Sequence, residues 1–228
     1  MSKSIVVVGF GPGISTAVAD KFGAEGFSVA LVARSQERLD AGVAALKAKG
    51  VTAAAFAADA GRPDSIRQAI GDARAALGPI GVLHWNAYGG AEAPDLLTAG
   101  SEAVGGVFDV AVVGLLAAVQ EALPDLKADK GAVLVTNGAF GDLTPQMDDY
   151  AIALNAMGVA LANAAKHKLV GLLSARLKGD GVYIGEVVVA GAVKGTAWAS
   201  DGGIEGATIA NRFWELYQGR GEIRGRVS

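Results

Sequence analysis

Cysteine is missing from this 228-residue chain, and only two histidines, six prolines and three tryptophans are present. Without a thiol, a disulfide framework, thiolate catalysis and thiolate zinc sites are all excluded. His84 and His167 would leave a metal ion to carboxylates alone, so no metal site is expected. Charge is scarce too: charged residues make up 19% of the chain, the formal net charge is −3, and Lys and Arg are scattered. A phosphate-tracking basic stripe is therefore lacking, and nucleic acid is not an expected partner. Long unbroken apolar runs are also missing. The longest, Val104 to Val119, is interrupted by Gly105, Gly106, Asp109 and Gly114. The first, Ile5 to Val8, is too short for a signal-peptide core or a membrane span. The expectation is a soluble, cytoplasmic protein with no membrane contact.

What is abundant is hydrophobic residues, at 51%, and glycine, with 33 positions. Glycine has neither the period nor the proline content of a fibrous protein, so it acts at individual turns. Short apolar runs recur at Ile5–Val8, Ser28–Val32, Ala53–Phe56, Val82–Trp85, Ala132–Thr136 and Tyr183–Val189. Longer segments with helical spacing lie between them. In Gln36 to Lys49, for example, Leu39, Val43 and Leu46 share a face that Glu37, Asp40 and Lys47 largely avoid. Alternating strands and helices, with continuous apolar strands, predict a parallel sheet covered on both faces. The fold class expected is α/β, a Rossmann-like doubly wound sheet of about seven strands. No Pro-rich or Ser-rich linker divides the chain, so one dinucleotide-binding domain over 1–228 is expected. After the sixth strand come a glycine-rich loop from Gly195 to Gly206, a helix from Ala207 to Gln218, and an edge segment from Glu222 to Val227.

The first strand runs into Gly9-Phe-Gly11-Pro-Gly13-Ile14-Ser15 and then a helix. A turn of this kind lets backbone approach a pyrophosphate, and the helix N-terminus offers free N–H groups and a positive dipole end. The common G-x-G-x-x-G spacing would need glycine where Ile14 stands. Gly9-x-x-x-Gly13-x-Ser15 instead resembles the G-x-x-x-G-x-G turn of the short-chain dehydrogenase/reductase family, with Ser15 replacing the third glycine.

Further residues carry that resemblance. Ala33 and Arg34 follow the second strand, where a carboxylate would select NAD; a neutral residue followed by Arg favours NADP over NAD. Arg38 reads as a solvated helix-start charge. The resemblance places Asp59 and Ala60, after the third strand, at the adenine, although an N-cap role for Asp59 is an alternative. His84-Trp85-Asn86-Ala87-Tyr88-Gly89 resembles the family's Asn-Asn-Ala-Gly, keeping Asn86 and Ala87. Ala190-Gly191 stands where the family has Pro-Gly beside the nicotinamide. The implied cofactor set is Gly9, Gly11, Gly13, Ile14, Ser15, Arg34, Asp59, Ala60, Asn86, Ala87, Lys166 and Gly191.

The catalytic set departs from the family. Its members use an Asn that anchors a water relay, a Ser that orients the substrate oxygen, and a Tyr and Lys at i and i+4 that exchange the proton and hold the ribose. Ala111 stands at the Asn position. Asn137 stands 13 residues before Tyr150, where the resemblance would put Ser. Two registers compete for the remaining pair: Tyr150 with Leu154 in the Lys place, or Lys166 with Ala162 in the Tyr place. The second leaves a family-like distance to the next strand and implies an insertion of about 12 residues between Asn137 and Ala162. On one straight helix Tyr150 and Lys166 would stand about 24 Å apart, so they meet only if the insertion folds back, with a break near Gly158. The candidate catalytic residues are Asn137, Lys166 and Tyr150, with Tyr88 as another phenol and Lys194 as a loop cation.

Two functions remain open. One is an NADP-dependent oxidoreductase acting on a small carbonyl or alcohol with an atypical proton donor. The other is a catalytically inactive NADP-binding sensor or interaction protein. The resemblance also implies a homodimer or homotetramer built through helices near Ser101–Leu126 and around Lys166. The loop from Thr196 to Gly206, with Trp198, Asp201 and Glu205, would shape the substrate site.

Overall fold

A computed structural model describes residues 3–197, 199 and 202–228; Trp198 and Asp201 lie outside the described residues. Seven strands form one parallel sheet: β1 (Ser4–Val8), β2 (Ser28–Ala33), β3 (Ala53–Ala57), β4 (Ile80–Trp85), β5 (Ala132–Gly138), β6 (Tyr183–Val189) and β7 (Arg224–Val227). Their order is β3-β2-β1-β4-β5-β6-β7, so the chain reverses direction across the sheet between β1 and β4. The seven-strand, Rossmann-like expectation holds, and each predicted strand lies within a residue or two of its place.

Continuous apolar strands are needed because both faces are covered. Ile5, Val7, Val29, Leu31 and Leu134 point into one core with Phe22, Leu39 and Phe213. These belong to α1 (Ile14–Ala24), α2 (Gln36–Ala48) and α8 (Gly206–Gly219). Val6, Val8, Leu83, Trp85 and Val133 point the other way, onto Ile66, Leu115, Leu126 and Val170. Those lie on α3 (Pro63–Leu77), α5 (Leu115–Ala128) and α7 (Met157–Leu177).

The glycine-interrupted stretch forms one long helical run, Ser101–Ala128, apolar and long enough to cross a membrane by composition alone. It comprises α4 (Ser101–Phe108), a π-helical stretch Asp109–Gly114 and α5. Val107, Ala111, Leu115, Ala118, Ala122 and Leu126 form its buried stripe, the 3.6-residue spacing of a helix laid on a core.

The stretch between Asn137 and Ala162, expected to hold an insertion, contains a separate helix, α6 (Pro145–Ala153), capped at its start by the Thr144 hydroxyl accepting from the Met147 N–H. The break falls at Leu154–Ala156 rather than at Gly158. There Asn155 takes the left-handed conformation at φ 50°, and the Ala156 N–H turns back to the carbonyl of Ala151. The N–H groups of Met157 and Gly158 then donate to Pro94 and Ala93, which tie the start of α7 to the loop after β4.

Inside the sheet sits a charge that the apolar reading of Tyr183–Val189 concealed. Glu186 is fully buried in β6. One carboxylate oxygen accepts from the Asn137 amide at 2.7 Å, and the other meets Nε of Arg224 at 3.0 Å and Nδ1 of His167 at 2.9 Å. Four elements, β5, β6, β7 and α7, converge on this carboxylate. Removing a partner from a buried ion pair strands the remaining charge, whereas an exposed pair contributes little. Glu186→Ala is expected to lose about 3 kcal/mol in urea unfolding, a moderate value because Arg224 and His167 reach water. Arg226→Ala, which breaks the exposed pair with Asp142, is expected to lose under about 1 kcal/mol.

His84, in β4, is the second buried titratable group. Its Nε2 lies 3.2 Å from the Thr136 hydroxyl, its Nδ1 is sealed without a partner, and burial lowers its pKa from 6.5 to about 3. Between those two values the unfolded chain binds a proton that the native state refuses. Stability is therefore full above pH 6.5 and falls as pH drops through that window, by about 1.4 kcal/mol per pH unit. Denaturant titrations at pH 7.5 and 5 should show this loss in the wild type and a smaller one in His84→Leu.

Candidate active site

In an open parallel sheet, ligands sit at the carboxyl ends of the strands where the strand order reverses. Here that point is the gap between β1 and β4, and the Gly9–Ser15 turn lies in it. Gly9 has φ +83°, and a Cβ there would stand 2.6 Å from the Cα of Ala87, so only glycine fits. The N–H groups of Gly9 and Phe10 donate to the Val32 carbonyl. The Asn86 amide donates to the Gly9 carbonyl at 3.3 Å. Asn86 and Ala87 thus form the floor beneath the turn.

Helix α1 has no side-chain cap, and its ladder begins with Ala17 donating to Gly13. The N–H groups of Ile14, Ser15 and Thr16 are left facing out of the helix end, the arrangement that receives a phosphate. Ser15, in place of the third glycine, is fully buried. Its hydroxyl accepts from the Gly11 N–H and donates to the Gly11 carbonyl, both at 2.9 Å. It points away from the anion position and braces the turn from inside.

Toward β2 and β3, Arg34 is exposed after the end of β2, and Nη1 of Arg38 stands 3.6 Å from where a Cβ on Gly11 would lie. Arg38 is exposed at the start of α2, as expected of a solvated charge, and its guanidinium lies beside the turn. Asp59 does not cap α3, whose N-cap is Arg62. Its carboxylate instead accepts from the Gly61 N–H at 3.0 Å, shaping the loop in which the Ala60 carbonyl rests on Gly114 of the π-helical stretch. Gly191 is exposed beside Ile204. Lys194 pairs with Glu205 and closes the base of the following loop, which the bridge between Val193 and Ile204 also joins.

Of the three candidate catalytic residues, Asn137 and Lys166 lie close together at the end of β5, both beside Glu186, while Tyr150 sits on a separate helix. Asn137 is buried. Its Nδ2 donates to the Asn163 carbonyl at 2.9 Å and to Glu186 at 2.7 Å, while its Oδ1 accepts from Gly138. Both N–H bonds of the amide are taken up inside the protein, which leaves no free donor for a substrate oxygen. Lys166 is also buried, with Nζ donating to the Thr136 carbonyl at 3.1 Å. Burial lowers its pKa to about 8, against the opposing pull of the Glu186 carboxylate. Tyr150 lies on α6, 54% exposed, with its ring against Phe140 at 5.7 Å. Tyr88 is half exposed, and partial burial together with Glu92 raises its pKa.

One residue that sequence reasoning passed over lies among these. Asn163 is 5% exposed and faces the end of β5, where its Nδ2 lies 2.6 Å from the position of a Cβ on Gly138. No motif marks it. The only signal available in the sequence was its place one helical turn before Lys166.

Residues 3–174 match the family model described as short chain dehydrogenase. A 3-oxoacyl-(acyl-carrier-protein) reductase of Staphylococcus aureus is 30% identical over 173 residues, 74% of this chain and 69% of that protein. A 3-dehydrosphinganine reductase of Arabidopsis thaliana is 34% identical over 130 residues, 57% of this chain, and the match spans only 38% of that longer relative. Among solved structures, L-sorbose reductase from Gluconobacter frateurii, complexed with NADPH and L-sorbose, superposes with a TM-score of 0.85 at 19% identity, over 100% of this chain and 95% of that one. A metagenomic short-chain oxidoreductase in complex with NADP gives 0.79 at 24% identity, over 99% and 96%. With three quarters of its length matched by the family model, and with the glycine turn set at the point where the strand order reverses, this chain belongs to the short-chain dehydrogenase family.

Proposed function

We propose that this chain is an NADP-dependent oxidoreductase, one dinucleotide-binding domain over 1–228, acting on a small carbonyl or alcohol substrate with an atypical proton donor. The observation that carries this reading is the uncapped start of α1 behind the Gly9–Ser15 turn, flanked by Arg34 and Arg38, with neutral Ala33 rather than a carboxylate at the end of β2. The cradle fits a pyrophosphate, since backbone N–H groups and glycine line it. Arg34 and Arg38 fit the extra phosphate that distinguishes NADP, because guanidinium forks pair with phosphate oxygens. The complexes of the metagenomic oxidoreductase and the sorbose reductase with NADP and NADPH support the same cofactor.

The nicotinamide, when bound, supplies or receives the hydride. For the proton, Lys166 is the group this reading assigns. It is held at the carboxyl end of β5, and its pKa of about 8 is close to that of an efficient acid at neutral pH. Asn137 contributes by fixing Glu186, the carboxylate whose field keeps Lys166 from dropping further. Tyr150 stands apart on α6. A second reading, binding without turnover, is favoured by one observation: the Asn137 amide is fully engaged and Ala111 offers no relay group. We place the protein in the cytoplasm as a homodimer or homotetramer, with no nucleic acid or membrane partner. Val113 and Leu172, large and exposed on the outer faces of the 101–128 and 157–177 helices, are consistent with that contact.

Two measurements test the proposal. Fluorescence titration should show NADPH bound more tightly than NADH, and Arg34→Ala combined with Arg38→Ala should weaken NADPH about tenfold or more while leaving NADH unchanged. Equal affinity for both cofactors in the wild type overturns the NADP assignment. In steady-state reduction of an aldehyde and ketone panel, the acid must carry its proton. The rate should be flat below pH 8 and fall about tenfold per unit above it. No turnover on any substrate, with NADPH binding established, selects the second reading.

A further inference from the structure

A largely buried amide with no protein partner is costly unless water or a ligand completes it. Burying an unsatisfied polar group forfeits about 1–3 kcal/mol, so such groups stand out in a native structure. The Asn163 side chain makes no hydrogen bond with any described residue, although the residue is 5% exposed. Its amide atoms also differ from the sealed orphans at His84 and Trp85, because they open to solvent. The opening is at the carboxyl end of the sheet, beside Gly138, and the bare glycine there leaves the amide its room.

The sheet order decides what passes this point. The phosphates lie at β1. Arg34 and Asp59, after β2 and β3, mark the adenosine side, so the other half of a dinucleotide runs over the ends of β4 and β5. The neighbouring polar groups are already committed. Asn137 is bound to Asn163 O and Glu186, and Lys166 reaches the Thr136 carbonyl. An amide both donates and accepts, as does each hydroxyl of a ribose diol, so one asparagine complements a pair of them without carrying charge.

Resting on the NADP reading above, we propose that the Asn163 amide anchors the nicotinamide ribose of the bound cofactor. It is a binding group with no proton to exchange, which separates holding the ribose from supplying the acid. The unfilled amide in the free protein is the group kept ready for that ligand.

The test compares two ligands on the wild type and on Asn163→Ala by calorimetry. NADPH spans both halves of the cleft, whereas adenosine 2′,5′-bisphosphate carries the adenosine half alone. We expect Asn163→Ala to weaken NADPH about tenfold, to leave the bisphosphate unchanged, and to keep the melting temperature of the free protein at or above that of the wild type. Unchanged NADPH affinity overturns the proposal. So does equal weakening of both ligands, which marks general damage to the fold. Failure of the wild type to bind either ligand instead removes the NADP reading itself, and this proposal with it.

Discussion

Everything at the carboxyl edge of this sheet depends on the contact between two backbones at Gly9. The Val32 carbonyl accepts from the N–H groups of Gly9 and Phe10, while the Asn86 N–H donates to the Val8 carbonyl. Three parallel strands are thereby joined at their ends, with Ala87 pressed where a Cβ would otherwise be. The hydrogen bonds fix where the chain leaves β1, and that exit sets the axis of α1. The orientation of α1 in turn aims its unpaired N–H groups into the gap that the reversed strand order opens. A cradle that would fit a pyrophosphate here follows from sheet topology and one residue without a side chain.

The interior beneath the ends of β5 and β6 follows a different logic. A charged carboxylate in mid-strand is expensive to desolvate, and it persists because three hydrogen-bonding or ionic neighbours, Asn137, Arg224 and His167, meet it. By recruiting Asn137, the carboxylate takes an amide that would otherwise face the cleft. The fold has exchanged a polar side chain presented to a substrate for one turned inward, and α7 is held to β5 by the same bond through the Asn163 carbonyl. The outward polar function falls to Asn163 and Lys166, which sit three residues apart on one face of α7.

The strands were legible because a sheet buried on both faces needs unbroken apolar runs, here short, rich in β-branched residues and bounded by Gly or polar residues. The glycine turn was legible from its place between the first run and the first helix. Legibility failed where a residue's role depends on a distant neighbour. Glu186 hides in an otherwise apolar strand, and its partner Arg224 lies 38 residues on. Arg38 resembled any exposed helix-start charge until the fold brought it to Gly11. For Tyr150 the length of the inserted stretch was legible and its direction was not; Asn155, in a left-handed conformation, marks the break between α6 and α7 that sets it. Asn163 carries no motif, and its significance lies in the bonds it does not make.

The tie between Glu186 and Arg224 also alters what the final strand is. An ordinary edge strand peels away at small cost, because it has neighbours on one side only. Here the outermost strand carries a counter-charge for a carboxylate buried in the strand beside it, so fraying of β7 would take Arg224 away from Glu186 and leave it to Asn137 and His167. The edge strand is thus held by a buried charge as well as by its backbone ladder.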